Sequence, residues 1–267
     1  MASTRSCSIS DQPRRRAAGD VDYEAGGSGY AVQRQPDPRI AAYIDAALGD
    51  ARTVVNVGAG AGSYEPADRE VTAVEPSLAM RRQRPSHLSA AVDAVAEELP
   101  FADDSFDAAM ASFTIHQWRD LDRGLREMRR VSRGPVVILL ADRHTLADFW
   151  LVDYVPDIVR AEQGRSPEIE RVKAVLGGPC TVTNVPIPLD CTDGFSEAFY
   201  GRPERFLEES VRQAQSSWGF VAPEVAERGV EKLRADLESG EWDRKYGTLR
   251  RQPYYEGSLR LVAARPS

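Results

Sequence analysis

Two hydrophobic periods alternate along the first half of the chain. Behind Pro36 and Pro38, apolar side chains at Ile40, Tyr43, Ile44 and Leu48 recur at helical spacing, and Gly49 ends the stripe. "TVVNVG" then reads as a short buried strand, β-branched and bounded by glycine. "VTAV" predicts a second strand, "SLAMRRQ" a helix, "LSAAVDAV" a weaker third strand and "FDAAMASF" a fourth. "LDRGLREMRRVS" is amphipathic, with Leu121, Leu125 and Met128 on one side, and "GPVVILLA" is the clearest strand of all. Strands that alternate with helices in this way imply a doubly wound, parallel sheet that binds ligands at the carboxyl ends of its strands.

After Asp142 the alternation weakens. "HTLADFWLVDYVPDIV" and "EIERVKAVLGG" predict helices, "CTVTNVPIPLD" a strand, Ser196 to Gly240 a mostly helical stretch, and "GSLRLVAARP" a closing strand. A helical insertion of that length between late strands predicts a lid over the active face; an added layer that only stabilises the sheet is the plainer alternative. The expected organisation is a disordered tail over 1–20, a Rossmann-like cofactor-binding core over 21–142, and lid or substrate elements with closing strands of the same domain over 143–267.

Composition narrows the function classes. A chain of 267 residues with 42% hydrophobic content can bury the core of one α/β domain. Its net charge of −7 argues against a nucleic-acid partner, because a phosphate polyanion would be repelled. Arg14, Arg15 and Arg16 read as a solvated run. No apolar stretch approaches the length of a membrane span, and the first residues lack the apolar centre of a secretory signal. Cys7, Cys180 and Cys191 form no CxxC pair, and three histidines offer too few soft ligands for zinc or iron, so no metal and a reducing, cytoplasmic compartment are expected.

The chemistry sits in "VVNVGAGAGSYEP". Gly58, Gly60 and Gly62 follow a strand directly, where the chain must turn tightly and a ligand must approach the backbone without meeting a Cβ. "VTAVEPS" ends the second strand on Glu75, whose carboxylate can accept both hydroxyls of a ribose. "AEELPFADDSFDAAM" follows in phase with the next strands.

Taken together, these blocks resemble the class I S-adenosylmethionine-dependent methyltransferases, and most closely the branch that includes the ubiquinone and menaquinone biosynthesis methyltransferases. The resemblance covers about Tyr23 to Asp142 and the last strand. It implies an α/β, doubly wound, Rossmann-like, seven-stranded, mostly parallel sheet with a helical lid insertion, S-adenosyl-L-methionine as cofactor, and methyl transfer to a small-molecule acceptor. It assigns Gly58, Ala59 and Gly60 to the methionyl end of the cofactor, Glu75 to the ribose, and Pro76, Ser77, Met80, Ala96 and Glu97 to the adenine side. Ser112 and Phe113, in "ASFTIHQW", would border the methyl group. Tyr30 lies in a segment that folds over the cofactor in many relatives, and an aromatic face near a sulfonium gains cation–π attraction; ordinary packing is the competing role.

Two positions depart from the family. Asn56 stands where the family usually has Asp or Glu. An amide still accepts a hydrogen bond from an ammonium, but more weakly, so weaker cofactor binding or a compensating acid elsewhere is expected. The stretch from Gly62 to Glu75 is short and interrupted by Pro66, which leaves room for a helix of a turn or two.

His116, just past the fourth strand, is the candidate general base, against a plain role in orienting its loop. His144 and His87 read as surface residues, and Trp118 as core. Phe149, Trp150, Tyr154 and Tyr200, with Phe199 and Phe206, are candidates for an acceptor pocket, although such spacing also suits lid–core packing. Arg202 and Arg205 suit either an anionic group or a solvated face. A nicotinamide-dependent oxidoreductase is disfavoured because its GxGxxG fingerprint needs the third glycine one residue later. A repurposed protein that binds the cofactor without methyl turnover is the other alternative.

Overall fold

The computed structural model describes residues 30–266, with the side chains of Tyr30 and Ala31 excepted. The expected tail over 1–20 therefore lies outside the described residues, as does the side chain of Tyr30.

After a short helix α1 (Tyr30–Gln33), Asp37 caps α2 (Pro38–Leu48). Its carboxylate accepts from the backbone N–H of Arg39, and Pro38 takes the first turn, where no N–H is needed. Ile40, Ile44 and Leu48 form the buried stripe. Strands β1 (Thr53–Val57), β2 (Glu70–Val74), β3 (Ala108–Ser112) and β4 (Val136–Ala141) pair in parallel. The late strand β8 (Leu259–Ala264) runs antiparallel between β4 and β5 (Cys180–Asn184). The order across this six-stranded, mostly parallel sheet is β2-β1-β3-β4-β8-β5.

Alternate residues of the strands face opposite layers. Val54, Ala108, Met110, Val137 and Leu139 face α2 and the aromatic helical layer. Val55, Ala109, Ala111, Val136 and Ile138 face Leu125, Met128 and Val131 of α4 (Leu121–Val131), which are all fully buried. Each such side chain contributes roughly 1.5–3 kcal/mol. The doubly wound arrangement follows, since parallel strands must be covered on both faces.

Three expectations are corrected. Among the described residues the sheet has six strands rather than seven: "LSAAVDAV" makes only a single parallel bridge, Val74 to Val92. Its small Ser and Ala side chains offer little to pack on a pleated surface. The connection from Gly60 to β2 contains turns and no helix, consistent with Gly62 and Pro66 within it. The predicted strand "CTVTNVPIPLD" divides: β5 joins the main sheet, while β6 (Ile187–Pro188) pairs with β7 (Tyr254–Tyr255) in a small second sheet.

The helical layer comprises α5 (Pro156–Arg165), α6 (Ile169–Leu176), α7 (Glu209–Gln213), α8 (Pro223–Ser239) and α9 (Glu241–Tyr246), linked by several 3₁₀ turns. Among the described residues, no helix is long and apolar enough to cross a membrane.

Candidate functional site

The carboxyl ends of β1, β2 and β3 meet at the glycine turn. Gly58 and Gly60 have φ of 71° and 52°, in the left-handed region that a side chain disfavours. The N–H groups of Gly58 and Ala59 both donate to Val74 O, at 2.9 Å each, which fastens the turn to the end of β2. A Cβ on Gly58 would collide with Thr114, so the turn and the end of β3 touch here.

Glu75 is buried at the end of β2. Its Oε2 accepts from Gly60 N at 2.8 Å and its Oε1 from Ser77 N at 2.8 Å. Burial pushes its carboxyl above the usual range, opposed by those two N–H donors and by the charges of Arg81 and Arg84. Each oxygen keeps a further lone pair to offer a hydroxyl. Ser77 caps α3 (Leu78–Arg82) by accepting from Met80 N at 3.2 Å, and Met80 packs against the Gly60 turn. Pro76 lies between them, half-buried.

Asn56, at 0% exposure, is the most enclosed polar group of the site. Its Nδ2 donates to Glu65 Oε1 at 3.1 Å, and its Oδ1 is buried without a hydrogen-bond partner. Glu65 is the acid that the Asn56 side chain touches, and the sequence did not single it out. Arg84 grips it through both oxygens, at 3.0 and 2.8 Å.

On the neighbouring edge, Ala96 is buried against the Trp118–Gly124 contact, and Glu97 accepts from Asp120 N at 3.1 Å at the start of α4. Ser112 ends β3. Phe113 follows with φ of 52°, a strained value for a residue with a side chain. Its ring lies 5.2 Å from that of Phe195 and 5.1 Å from the guanidinium of Arg34.

Beyond Phe113, His116 is half-buried in a 3₁₀ turn and lines a cavity of about 100 Å³ at the ends of β3 and β4. Two acids line the same cavity, Glu197 buried and Glu162 half-buried. Glu162 Oε1 accepts from Ser217 Oγ at 2.8 Å and lies 2.9 Å from Ser196 Oγ; Glu197 accepts from the Ser258 N–H and hydroxyl. Burial raises both carboxyls, Glu197 to about 7, and the proximity of Glu162 adds to the rise at Glu197. These acids come from the half of the chain beyond Asp142 and sit in no motif, so no pattern in the sequence marks them.

The four aromatic residues expected at an acceptor pocket lie elsewhere. Phe149, Trp150, Tyr154 and Tyr200 are buried in the core between sheet and helical layer, and none lines this cavity. Trp150 meets Trp242 edge-on with ring centres 5.4 Å apart, and its Nε1 donates to Tyr200 O. Large apolar rings at helical spacing gained more by filling the core than by facing a ligand. Arg202 is likewise structural, donating to Cys191 O and Ala198 O. His144 is exposed and pairs with Glu168.

Comparison with known proteins identifies the family. A family model described as a methyltransferase domain matches residues 55–140. The solved structure of an Anabaena variabilis protein, assigned as a methyltransferase from an antibiotic biosynthesis pathway, superimposes with a TM-score of 0.81. It is 31% identical, over 87% of this chain and 98% of that one. The chain belongs to the class I S-adenosylmethionine-dependent methyltransferases.

Curated relatives of this methyltransferase include the demethylmenaquinone methyltransferase of Renibacterium salmoninarum, 36% identical over 40% of this chain and 48% of that protein. The malonyl-[acyl-carrier protein] O-methyltransferase of Pseudescherichia vulneris is 38% identical over 33% and 38%. The chain thus spans about half the length, or less, of the curated relatives it matches.

The residues present suit S-adenosylmethionine. The unpartnered Asn56 Oδ1 is an acceptor for an ammonium, the Gly58–Gly60 turn leaves backbone open to close approach, and Glu75 keeps lone pairs for a ribose.

Proposed function

We propose that this methyltransferase moves the methyl group of S-adenosylmethionine onto a small, polar acceptor held at the cavity beside His116. The observation that carries the reading is the adjacency of two halves of one site. The glycine turn, Asn56 and Glu75 gather at the ends of β1 and β2, and Thr114 joins them to the His116 cavity at the ends of β3 and β4.

When bound, the cofactor supplies a sulfonium methyl, an electrophile that needs no metal or further activation. Asn56 holds the ammonium, Gly58, Ala59 and Gly60 the methionyl backbone, and Glu75 the ribose hydroxyls. Pro76, Ser77, Met80, Ala96 and Glu97 border the adenine. Ser112 and Phe113 face the reacting end. Aligning the nucleophile behind the methyl carbon and excluding water supply most of the acceleration.

His116 receives the proton that an O–H or N–H nucleophile gives up. Glu162 and Glu197 orient the acceptor by accepting hydrogen bonds from it. A polar acceptor fits these groups better than a hydrocarbon, and the net charge of −7 favours a small molecule over a nucleic acid. The helical layer contributes Glu162 from α5 to the cavity wall, which supports its role as a cover over the active face.

Calorimetric titration with S-adenosylhomocysteine tests the cofactor half. Binding to the natural chain that is lost in Glu75→Ala supports it; binding of NADH in its place would overturn it. Methyl release from labelled S-adenosylmethionine, screened over amine and hydroxyl acceptors, then tests the acceptor class.

A further inference from the structure

Glu65, in the turn that follows the glycines, is deeply buried for an acid. Its side chain is 2% exposed, that of its partner Arg84 only 4%, and both oxygens of Glu65 are occupied by Arg84. Oε1 also accepts from Asn56 Nδ2 at 3.1 Å. Arg84 is anchored in turn on Ser89 O, through Nε at 3.1 Å and Nη2 at 2.9 Å.

This chain of contacts fixes something Asn56 alone cannot. An amide presents a donor at one end and an acceptor at the other, and rotation by half a turn exchanges them. A carboxylate only accepts. Glu65 therefore holds the Asn56 NH₂ toward itself and leaves Oδ1 at the other end of the amide. That oxygen is buried without a partner, an arrangement costly to keep unless a donor arrives. The carboxylate charge behind the amide also polarises it, so Oδ1 becomes a stronger acceptor.

We propose that Arg84, Glu65 and Asn56 form a positioning chain that reads the amino group of the cofactor's methionyl end, with Glu65 fixing the Asn56 amide as an acceptor at the position where the family usually has an acid. The inference rests on the cofactor reading given above. Glu65 is a positioning residue: it acts only through Asn56. The acid sits in the turn after the strand, and the amide passes its polarity on.

The test compares two ligands by calorimetry. S-adenosylhomocysteine carries the amino-acid end, whereas 5′-methylthioadenosine lacks it and reports only on the adenosine half. In Glu65→Gln the amide is free to flip, and affinity for S-adenosylhomocysteine falls about tenfold, the loss expected for one hydrogen bond to a charged group. Affinity for methylthioadenosine stays within about twofold on the same account. The exchange variant Asn56→Asp with Glu65→Gln places the acid at the strand end and keeps the net charge. It returns S-adenosylhomocysteine affinity to within about threefold of the natural chain, and it serves the same purpose if the single substitution unfolds.

Equal loss of both ligands in Glu65→Gln would overturn the proposal and leave Glu65 as a clamp on the turn, as would failure of the exchange to recover S-adenosylhomocysteine while methylthioadenosine still binds. If the natural chain bound neither ligand, the cofactor reading itself would fall.

Discussion

The Tyr64 hydroxyl donates to Asp193 Oδ2 at 2.9 Å, joining the turn after β1 to a loop of the distant helical half. Arg34 closes on Oδ1 of the same carboxylate at 2.5 Å, and Asp193 is 1% exposed. Tyr64 itself has φ of 63°, so the strained end of the cofactor turn is held by a long-range contact. Tyr64→Phe leaves Asp193 buried with one donor fewer. Urea unfolding should show a loss of about 1–3 kcal/mol; an unchanged midpoint would mean that Arg34 alone satisfies the acid.

Gly58→Ala forces a side chain into left-handed backbone and against Thr114, whose Cβ cannot swing away. Stability should drop by about 1–3 kcal/mol. S-adenosylhomocysteine binding should fall below detection in a titration that the natural chain passes. Retained affinity would place the cofactor away from this turn.

His116→Gln keeps a hydrogen-bonding side chain of similar reach and removes the base. With any acceptor the enzyme turns over, kcat should fall on the order of a hundredfold at neutral pH. S-adenosylhomocysteine affinity, measured in parallel, should not move. A loss confined to binding would reassign His116 to loop geometry.

Burial raises Glu197 from an ordinary 4.5 to about 7. The folded state therefore binds this proton more tightly than the unfolded chain, and stability attributable to Glu197 falls as pH rises from about 4.5 to about 7. Glu197→Gln carries no such penalty. Its unfolding free energy in urea, relative to the natural chain, should rise between pH 5 and pH 8 by up to about 3 kcal/mol. A difference independent of pH would mean that the acid is ionised at little cost.

Trp150 separates core from pocket among the aromatic residues. Trp150→Ala should cost about 3–5 kcal/mol in urea unfolding. The milder Trp150→Phe should leave the acceptor KM unchanged while lowering stability. A KM effect without a stability effect would return the aromatic cluster to the acceptor site.

The elements legible from sequence share one property: their signal is local. β4 is a continuous apolar run, β3 is apolar up to Ser112, β1 is apolar but for Thr53 and Asn56, and α4 repeats Leu125, Met128 and Val131 on a single face. Gly58, Gly60 and Glu75 could be placed because the ends of adjacent strands are necessarily close. The contact between Glu65 and Asn56 was not legible, since it depends on how an irregular turn folds back. Glu162 and Glu197 were invisible, because nothing in a sequence shows that a carboxylate in a helix-rich stretch will be buried beside the end of β3. The aromatic residues illustrate the opposite limit: their spacing suits a core and a pocket equally, and only the packing of Trp150 on Trp242 decides between them.

The placement of β8 has a kinetic consequence. Strands β1 to β4 pair as soon as the chain has reached Ala141, but the partner of β4 on its other side is drawn from beyond the stretch Asp142 to Ser258. β5, made earlier, can pair only with β8 and must wait for it. Such non-local pairing slows the final step of folding and leaves the apolar edge of β4 open meanwhile. Refolding should therefore be biphasic, with burial around Leu125 and Met128 preceding closure of the β4-β8-β5 half, and the interval between the phases is when the chain is most exposed to aggregation.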